Sequence, residues 1–323
     1  MRHDRRAAKS GGPLRILLIL AAGAILALLI SAALKGGGLY ENALALQLPV
    51  HTAADEPESP PTENLNGADV DTDVGDHFRV ELLSVSNTKN NTLPLAGGQP
   101  TVLIYHTHAT EAYRQVEGYE YEESGDWRTH DESNNIITVG EELKRILFEE
   151  YGILALHDKT DHEPPKLSSA YSRSVITMER YREEYPTIEL YIDVHRDAYG
   201  SSKSGMEDHV VINGRETARL MFVVGTGEGA TGTGFPEMPD FAANYALAKR
   251  LTASLNAIDG GLTRNIRVKT GRYNQHIGRC ILVEVGHNAN TLPQAINAME
   301  HLARAIAESA GIGPAPAMLP LAP

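Results

Sequence analysis

Three short apolar runs, each followed by residues that can bind a metal or carry a proton, most constrain how this chain folds. The runs and the residues at their ends are Val102–Tyr105 with His106 and His108, Leu190–Val194 with His195, and Cys280–Val283 with Glu284. A continuous apolar run of four to eight residues is typical of a strand that is buried on both faces. Because such strands present their carboxyl ends at one edge of a sheet, we expect the polar side chains to form one composite site.

Helical and strand-like patterns alternate between residues 78 and 312. Helices are predicted at 135–150, 170–185, 239–258 and 292–309, and strands at 101–105, 153–156, 188–194, 210–212, 219–224 and 281–285. We expect 210–212 to pair with 219–224, and Thr291 to cap the last helix. This alternation predicts an α/β fold with a mixed sheet that is flanked by helices on both faces.

The charge and the cysteine count exclude several classes of protein. The net charge is −13, and no cluster of Lys and Arg occurs outside the N-terminus, so a nucleic-acid partner is not expected. Cys280 is the single cysteine of the sequence, which excludes an intramolecular disulfide and a cysteine-rich zinc site. Its position within an apolar strand indicates a buried and inert thiol.

The N-terminal region has the pattern of a membrane anchor. Residues 16–34 are uncharged and mostly apolar, which is about the length that crosses a bilayer core. The basic residues of segment 1–15 place the N-terminus in the cytoplasm and the remainder outside, as a single-pass protein of the cell membrane. A cleaved signal peptide is the alternative. We expect the acidic, proline-containing segment 35–77 to be a disordered linker and 313–323 a disordered tail.

The candidate site chemistry is that of a zinc hydrolase. A catalytic zinc ion is usually held by three protein ligands, with water in the fourth position. The side chains that offer suitable nitrogen or oxygen atoms are His106, His108, His195, Glu284 and the acidic pair Asp131 and Glu132. The glycine-rich stretch 227–232 fits a nucleotide-loop pattern, but Pro236 and Pro239 intervene before the next helix, which favours an ordinary loop.

Several motifs resemble the stage II sporulation protein P family. They are Ile104-Tyr-His-Thr-His-Ala-Thr-Glu-Ala-Tyr113, Asp193-Val-His-Arg-Asp-Ala198, Gly271-Arg-Tyr-Asn-Gln-His276 and Val283-Glu-Val-Gly286. The similarity extends in order over residues 78–312, and the anchor and linker fit the layout of that family. The family in turn is similar to zinc-dependent N-acetylmuramoyl-L-alanine amidases, which cleave the amide between the glycan and the stem peptide of peptidoglycan.

The resemblance implies a role for each candidate residue. It implies zinc ligands at His108 or His106, at Glu132 and at His195, and proton transfer by Glu284. The histidine of the first motif that does not bind zinc, or Glu111, would position the substrate or the zinc-bound water. We further expect Arg196 and Arg279 to bind the acidic stem peptide.

The resemblance also implies a biological setting. It predicts peptidoglycan remodelling at the septum during engulfment, on the forespore side of the membrane, with a glycan-strand lyase and a polytopic membrane protein as partners. Two alternatives remain open: a stem-peptide endopeptidase or carboxypeptidase that uses the same ligands, and a non-catalytic envelope scaffold that binds peptidoglycan.

Overall fold

The computed structural model describes residues 92–198 and 208–314. These residues form eight strands and four α-helices, with a short 3-10 helix before each of the first two α-helices. In chain order the elements are β1 (Val102–Tyr105), α1 (Ile136–Tyr151), β2 (Ala155–His157), α2 (Ala170–Glu184), β3 (Leu190–Asp197), β4 (His209–Ile212), β5 (Arg215–Ala218), β6 (Leu220–Gly225), α3 (Phe241–Ile258), β7 (Arg267–Lys269), β8 (Cys280–His287) and α4 (Leu292–Ser309).

Six of the strands form one mixed sheet, as the sequence predicts. Its strand order is β2-β1-β3-β8-β6-β7. The neighbours β2, β1, β3 and β8 are parallel, whereas β6 runs antiparallel to β8 and β7 runs parallel to β6. The carboxyl ends of β1, β3 and β8 therefore lie side by side at one edge of the sheet.

Helices cover both faces of this sheet. On one face, α1, α3 and α4 pack on the larger core cluster, to which Ile104, Ile192 and Val283 contribute. On the other face, Met178 of α2 packs against Tyr105 and neighbouring apolar side chains. Alternate residues of a strand point to opposite faces, so β3 sends Ile192 and Val194 toward the larger core and Asp193 and His195 toward the α2 side. The expectation of helices on both faces is confirmed.

The helix ends are fixed by residues whose side chains satisfy free backbone groups. Asn135 accepts a hydrogen bond from the backbone N–H of Ile137 at the start of α1, and Thr291 forms a reciprocal capping box with Gln294 at the start of α4. The predicted cap at Thr291 is confirmed. Gly152 ends α1 in the left-handed conformation, with a φ of 65°.

One strand pairing differs from the prediction. Residues 209–212 do not pair with 219–224; β4 and β5 form a separate antiparallel hairpin, while β6 joins the main sheet. The turn between β4 and β5 contains Asn213 and Gly214, both with positive φ, at 52° and 77°. An Asn-Gly pair favours this two-residue hairpin turn because its mirror-image twist matches that of the flanking strands.

The described residues contain no helix that combines the length and the apolar character needed to cross a membrane. The predicted anchor 16–34, the linker 35–77 and most of the predicted tail lie outside the described residues.

Candidate active site

His195, Glu111 and Asp193 form the centre of the site at the carboxyl ends of β1 and β3. Nδ1 of His195 is 3.5 Å from Oε2 of Glu111, and Nε2 of His195 is 2.8 Å from Oδ1 of Asp193. The second distance is short, but Nε2 has no well-aligned hydrogen bond, so the contact is better described as an ion pair. All three side chains are buried.

Asp193 is held in place by the residue that follows His106. The backbone N–H of Thr107 donates to Oδ1 of Asp193 at 2.8 Å, and the Thr107 hydroxyl donates to Oδ2 at 2.7 Å. Burial opposes ionisation of Asp193, but the positive charge of His195 and these hydrogen bonds lower the pKa of the Asp193 carboxyl below its usual value. An ionised and fixed carboxylate beside His195 orients its ring.

The charges of the two carboxylates dominate the protonation of His195. Burial alone lowers the pKa of this imidazole, yet the charges of Asp193 and Glu111 raise it well above the usual value. In return, contact with His195 lowers the pKa of Glu111 below its usual range, despite a burial effect in the opposite direction. The backbone N–H of Arg196 also donates to Oε2 of Glu111 at 3.0 Å. Two carboxylates that face one imidazole therefore favour its protonated form.

His108 lies beside this centre. Its ring centroid is 5.5 Å from that of His195 and 5.9 Å from that of Tyr171. Nδ1 of His108 is 3.7 Å from Oε1 of Glu163 and has no hydrogen-bond partner. Glu163 is itself fixed, because Arg128 donates to it at 2.6 Å and the Thr110 hydroxyl donates to it at 2.5 Å.

Glu284 completes the site from β8. It is the register partner of His195 in the neighbouring strand, so the two side chains share one face of the sheet. Although the residue as a whole is partly exposed, its Oε2 atom is shielded from solvent and has no hydrogen-bond partner. Burial and then the charge of Asp197 raise the pKa of Glu284 to about 8. A carboxyl group with such a pKa can both accept and return a proton near neutral pH.

His106 points to the opposite face of the sheet, so His108 is the histidine of the first motif that lies at the site. Its Nδ1 lies 2.8 Å from the carbonyl oxygen of Val194, and its Nε2 lies 2.8 Å from Nε2 of His157. His157 in turn contacts Glu141 of α1 at 2.9 Å. Burial and then the neighbouring His157 ring lower the pKa of His106 to about 3. Both ring nitrogens are engaged in structural contacts, so His106 is not placed as a metal ligand.

The other predicted carboxylate ligand and the two predicted arginines also lie away from the site. Glu132 belongs to the exposed 3-10 helix Glu132–Asn134 and makes no ion pair with either histidine within the described residues. Arg196 is buried and donates to the carbonyl oxygens of Ala112 and Trp127 at 2.8 and 2.7 Å, so it supports the loop after β1 rather than facing a ligand. Arg279 precedes β8 at the amino end of that strand, where it faces Glu189 at 3.8 Å.

Three residues of the site were not predicted. Asp193 is two residues before His195, and the two-residue period of a strand places both on one face, so the signal was present in the sequence. Tyr171 and Glu163 give no such signal, because each reaches His108 from a segment distant in sequence.

The donor atoms of the site are compatible with a zinc ion. Histidine nitrogen and carboxylate oxygen are its usual ligands, with bonds of about 2.0–2.2 Å in a tetrahedral arrangement. Two such ligand atoms lie roughly 3.3 Å apart, and two ligating imidazole centroids roughly 5 Å apart. The Glu111–His195 distance of 3.5 Å and the His108–His195 centroid distance of 5.5 Å are close to these values.

The arrangement is nevertheless incomplete as a metal site. Within residues 92–198 and 208–314, no group of three or more His, Cys, Asp or Glu side chains has the geometry to hold a metal ion. One buried oxygen of the cluster, Oε2 of Glu284, has no hydrogen-bond partner, whereas the two nitrogens without a well-aligned hydrogen bond, Nδ1 of His108 and Nε2 of His195, face the carboxylates of Glu163 and Asp193. A buried polar atom is rarely left without a partner, so Oε2 of Glu284 indicates a place for a ligand.

The sequence profile of the family described as Stage II sporulation protein P matches residues 43–307. The chain belongs to this family. Stage II sporulation protein P of Bacillus subtilis (strain 168) is 28% identical to it over 262 residues, which are 75% of this chain and 59% of that protein. The match thus spans less than two thirds of the length of this relative.

Solved structures of amidases are similar at low identity. The N-acetylmuramoyl-L-alanine amidase AmiC2 of Nostoc punctiforme is 16% identical, with a TM-score of 0.39 over 67% of this chain and 97% of that one. An N-acetylmuramoyl-L-alanine amidase from Clostridium difficile 630 is 14% identical, with a TM-score of 0.39 over 66% of this chain and 95% of that one.

Proposed function

We propose that this protein is a zinc-dependent peptidoglycan hydrolase that cleaves the N-acetylmuramoyl-L-alanine amide. The observation that carries the proposal is the convergence of two histidines and two carboxylates, His108, His195, Glu111 and Glu284, at the carboxyl ends of adjacent strands. The motifs that contain these residues resemble those of the sporulation family, which in turn is similar to zinc-dependent amidases, and membership of the sporulation family supports a role in the cell wall.

In this proposal His108, Glu111 and His195 hold the metal. Glu111 replaces the Glu132 expected from the sequence, because it is buried, ionised and within 3.5 Å of His195, whereas Glu132 is exposed. Asp193 lies next to His195 and Glu163 lies next to His108. Carboxylates that contact the second nitrogen of a metal-binding imidazole orient its ring. A bound zinc ion would supply Lewis acidity toward the amide carbonyl and a water molecule.

The protein groups account for the movement of the proton. Glu284 removes a proton from the attacking water as the water oxygen bonds to the lactoyl carbonyl carbon. Glu284 then gives that proton to the nitrogen of L-alanine as the carbon–nitrogen bond breaks. The products are the lactoyl carboxylate of muramic acid and a stem peptide with a free amine. A pKa near 8 in the metal-free protein suits Glu284 to this return of the proton.

The cellular setting belongs to the same proposal. An N-terminal anchor would hold the catalytic domain outside the cytoplasmic membrane, where it would remodel septal peptidoglycan during engulfment of the forespore. A glycan-strand lyase and a polytopic membrane protein would be its partners.

The test is hydrolysis of purified peptidoglycan by the full chain, with and without a chelator and added zinc. Mass spectrometry of the released ends distinguishes the candidate functions. Stem peptides with a free L-alanine amine, lost on chelation and restored by zinc, are the expected result. Shortened peptides still attached to muramic acid would indicate an endopeptidase, and no product under any metal condition would contradict the proposal.

The role of Glu284 has a separate test. Glu284→Gln keeps the size and polarity of the side chain but cannot take up the water proton. We expect this variant to bind zinc as the wild-type protein does and to lose at least about 100-fold in cleavage rate. A variant that still cleaves at the wild-type rate would exclude Glu284 as the proton carrier.

A further inference from the structure

The face of the sheet that carries His195 and Glu284 continues beyond the proposed catalytic centre. In the next strand, Met221 of β6 is the register partner of Glu284, and Val223 of β6 is the register partner of Arg267. Met221 and Val223 pack with Leu282 in one cluster, which fixes them on the same face as Glu284. Register places Arg267 of β7 on this face too, two strands beyond Glu284 and level with Leu282.

Arg267 is a cation at this edge of the sheet that can exchange its present carboxylate contact for a contact with a ligand. Its Nη1 atom lies 3.6 Å from Oδ1 of Asp197, and its side chain is 27% exposed. Asp197 has a closer partner, since Nη1 of Arg264 donates to its other oxygen at 2.9 Å. If Arg267 turned toward a ligand, Asp197 would therefore keep its charge compensated, so the exchange would not leave a buried carboxylate unpaired.

Two aromatic rings line the path between Glu284 and Arg267. Tyr171 and Tyr273 cover Met221, Val223 and Leu282, and their ring centroids are 5.5 Å apart in an edge-to-face arrangement. The backbone of Tyr273 is held at a φ of 49°, and a Cβ on Gly271 would lie 2.5 Å from its ring. Strain of this kind is retained where the position of a side chain matters.

We propose that Arg267 binds a carboxylate of the acidic stem peptide on the leaving-group side of the site. This inference rests on the proposed function, in which Glu284 protonates the leaving amine. The peptide then departs next to Glu284, and Arg267 lies on the same face of the sheet two strands beyond Glu284. On the other side of the centre, beyond His108, the cation Arg128 is committed to Glu163 at 2.6 Å.

Equilibrium binding of the released stem peptide tests the assignment without relying on turnover. The probes are two synthetic stem peptides that begin with L-alanine, one with a free glutamyl carboxylate and one in which that carboxylate is an amide. They are titrated by calorimetry into the full chain carrying Glu284→Gln. We expect the free acid to bind roughly tenfold more tightly than the amide, as a hydrogen bond to a charged group contributes.

The variants assign this preference to one residue. Arg267→Gln should reduce the preference to less than about twofold, and Arg267→Lys should restore part of it because the charge returns without the two-pronged geometry. Arg279→Gln is the matched control: Arg279 also has a single weak carboxylate partner, at 3.8 Å, but lies at the amino end of β8. The control should keep the full preference.

Three results would overturn the proposal: equal binding of both peptides to the parent protein, an unchanged preference in Arg267→Gln, or an equal loss in Arg279→Gln. Circular dichroism of each variant verifies folding. Cleavage of muramoyl peptides by the protein with Glu284 intact, measured in parallel, separates the two hypotheses. Cleavage without a carboxylate preference refutes only the role of Arg267, whereas absence of cleavage refutes the proposed function.

Discussion

Gly140 of α1 lies where the helix contacts the pair of histidines on the far side of the sheet. A Cβ at this position would be 2.7 Å from Nε2 of His106, 2.7 Å from Nε2 of His157 and 2.9 Å from Cε1 of His106. Neither ring can easily move away, because His106 is bound to the carbonyl oxygen of Val194 and His157 to Glu141. We therefore predict that Gly140→Ala destabilises the protein, although alanine is the better helix former.

The expected change in the free energy of unfolding is the sum of one stabilising and two destabilising contributions. The gain in helix propensity stabilises the folded state by about 1 kcal/mol. Overpacking of a tight site costs about 1–3 kcal/mol. Separation of the Nε2 atoms of His106 and His157, which lie 2.8 Å apart, adds the loss of one part-buried hydrogen bond, about 1 kcal/mol. The expected net loss is about 1–3 kcal/mol.

Urea denaturation of wild type and variant measures this difference directly. Gly260→Ala is the matched control, since no atom lies within 4 Å of a Cβ at that position; its free energy of unfolding should change by less than about 0.5 kcal/mol. In a His157→Ala background, Gly140→Ala should lose at most half as much free energy of unfolding as it does in the wild type. The ring of His157 is then absent, and the ring of His106 can turn into the space that it leaves. A Gly140→Ala protein as stable as wild type would refute the reasoning.

Three further predictions concern the site and the arginine that supports the loop beside it. Glu111→Gln should lower zinc affinity by at least about tenfold, whereas Glu132→Gln should leave it unchanged in calorimetric titrations. In the metal-free protein, Glu284→Gln should raise the free energy of unfolding by about 2 kcal/mol at pH 8, after allowance for partial exposure, and have little effect near pH 4. The reason is that the Glu284 carboxyl has a pKa of about 8 in the folded protein and a lower, ordinary pKa in the unfolded chain. Between these two pKa values the folded protein keeps a proton that the unfolded chain releases. The stability of the wild type therefore falls as the pH rises from the lower pKa to the higher one. Arg196→Leu should cost about 1–3 kcal/mol in thermal or urea unfolding, because the buried carbonyl oxygen of Ala112 loses its side-chain donor and the part-buried carbonyl oxygen of Trp127 keeps only the N–H of Ala112.

The sequence was sufficient to predict a mixed sheet flanked by helices and the strand ends at which the candidate site residues lie. The apolar runs that became β1, β3 and β8 are neighbours in one sheet, and His108, His195 and Glu284 meet at the ends of these strands. Strand period and buried-run length are local properties, and they are encoded in consecutive residues. The hairpin of β4 and β5 was encoded too, in Asn213-Gly214, although we predicted a different pairing.

The path of the loop between β1 and α1 could not be predicted in the same way. The family resemblance implied Glu132, but the loop folds so that Glu111, only three residues after His108, reaches His195. Long-range bridges fix this path, including the backbone pairing of Glu111 with Arg128. Such contacts depend on the whole fold and leave no periodic signal in the sequence.

The burial of so many charges in β3 is itself informative about the site. Every residue of this strand is buried, including Asp193, His195 and Asp197, and a register irregularity separates His195 from Asp197. Buried charges destabilise a fold unless each has a partner. Here the end of β1 supplies two donors to Asp193, and Arg264 supplies one to Asp197. His195 lies between two carboxylates and carries a proton that a metal would have to displace, so zinc affinity should fall steeply with decreasing pH. A strand serving only as core would be more stable with apolar side chains at these positions, and the retained charges are therefore better explained by chemistry than by packing.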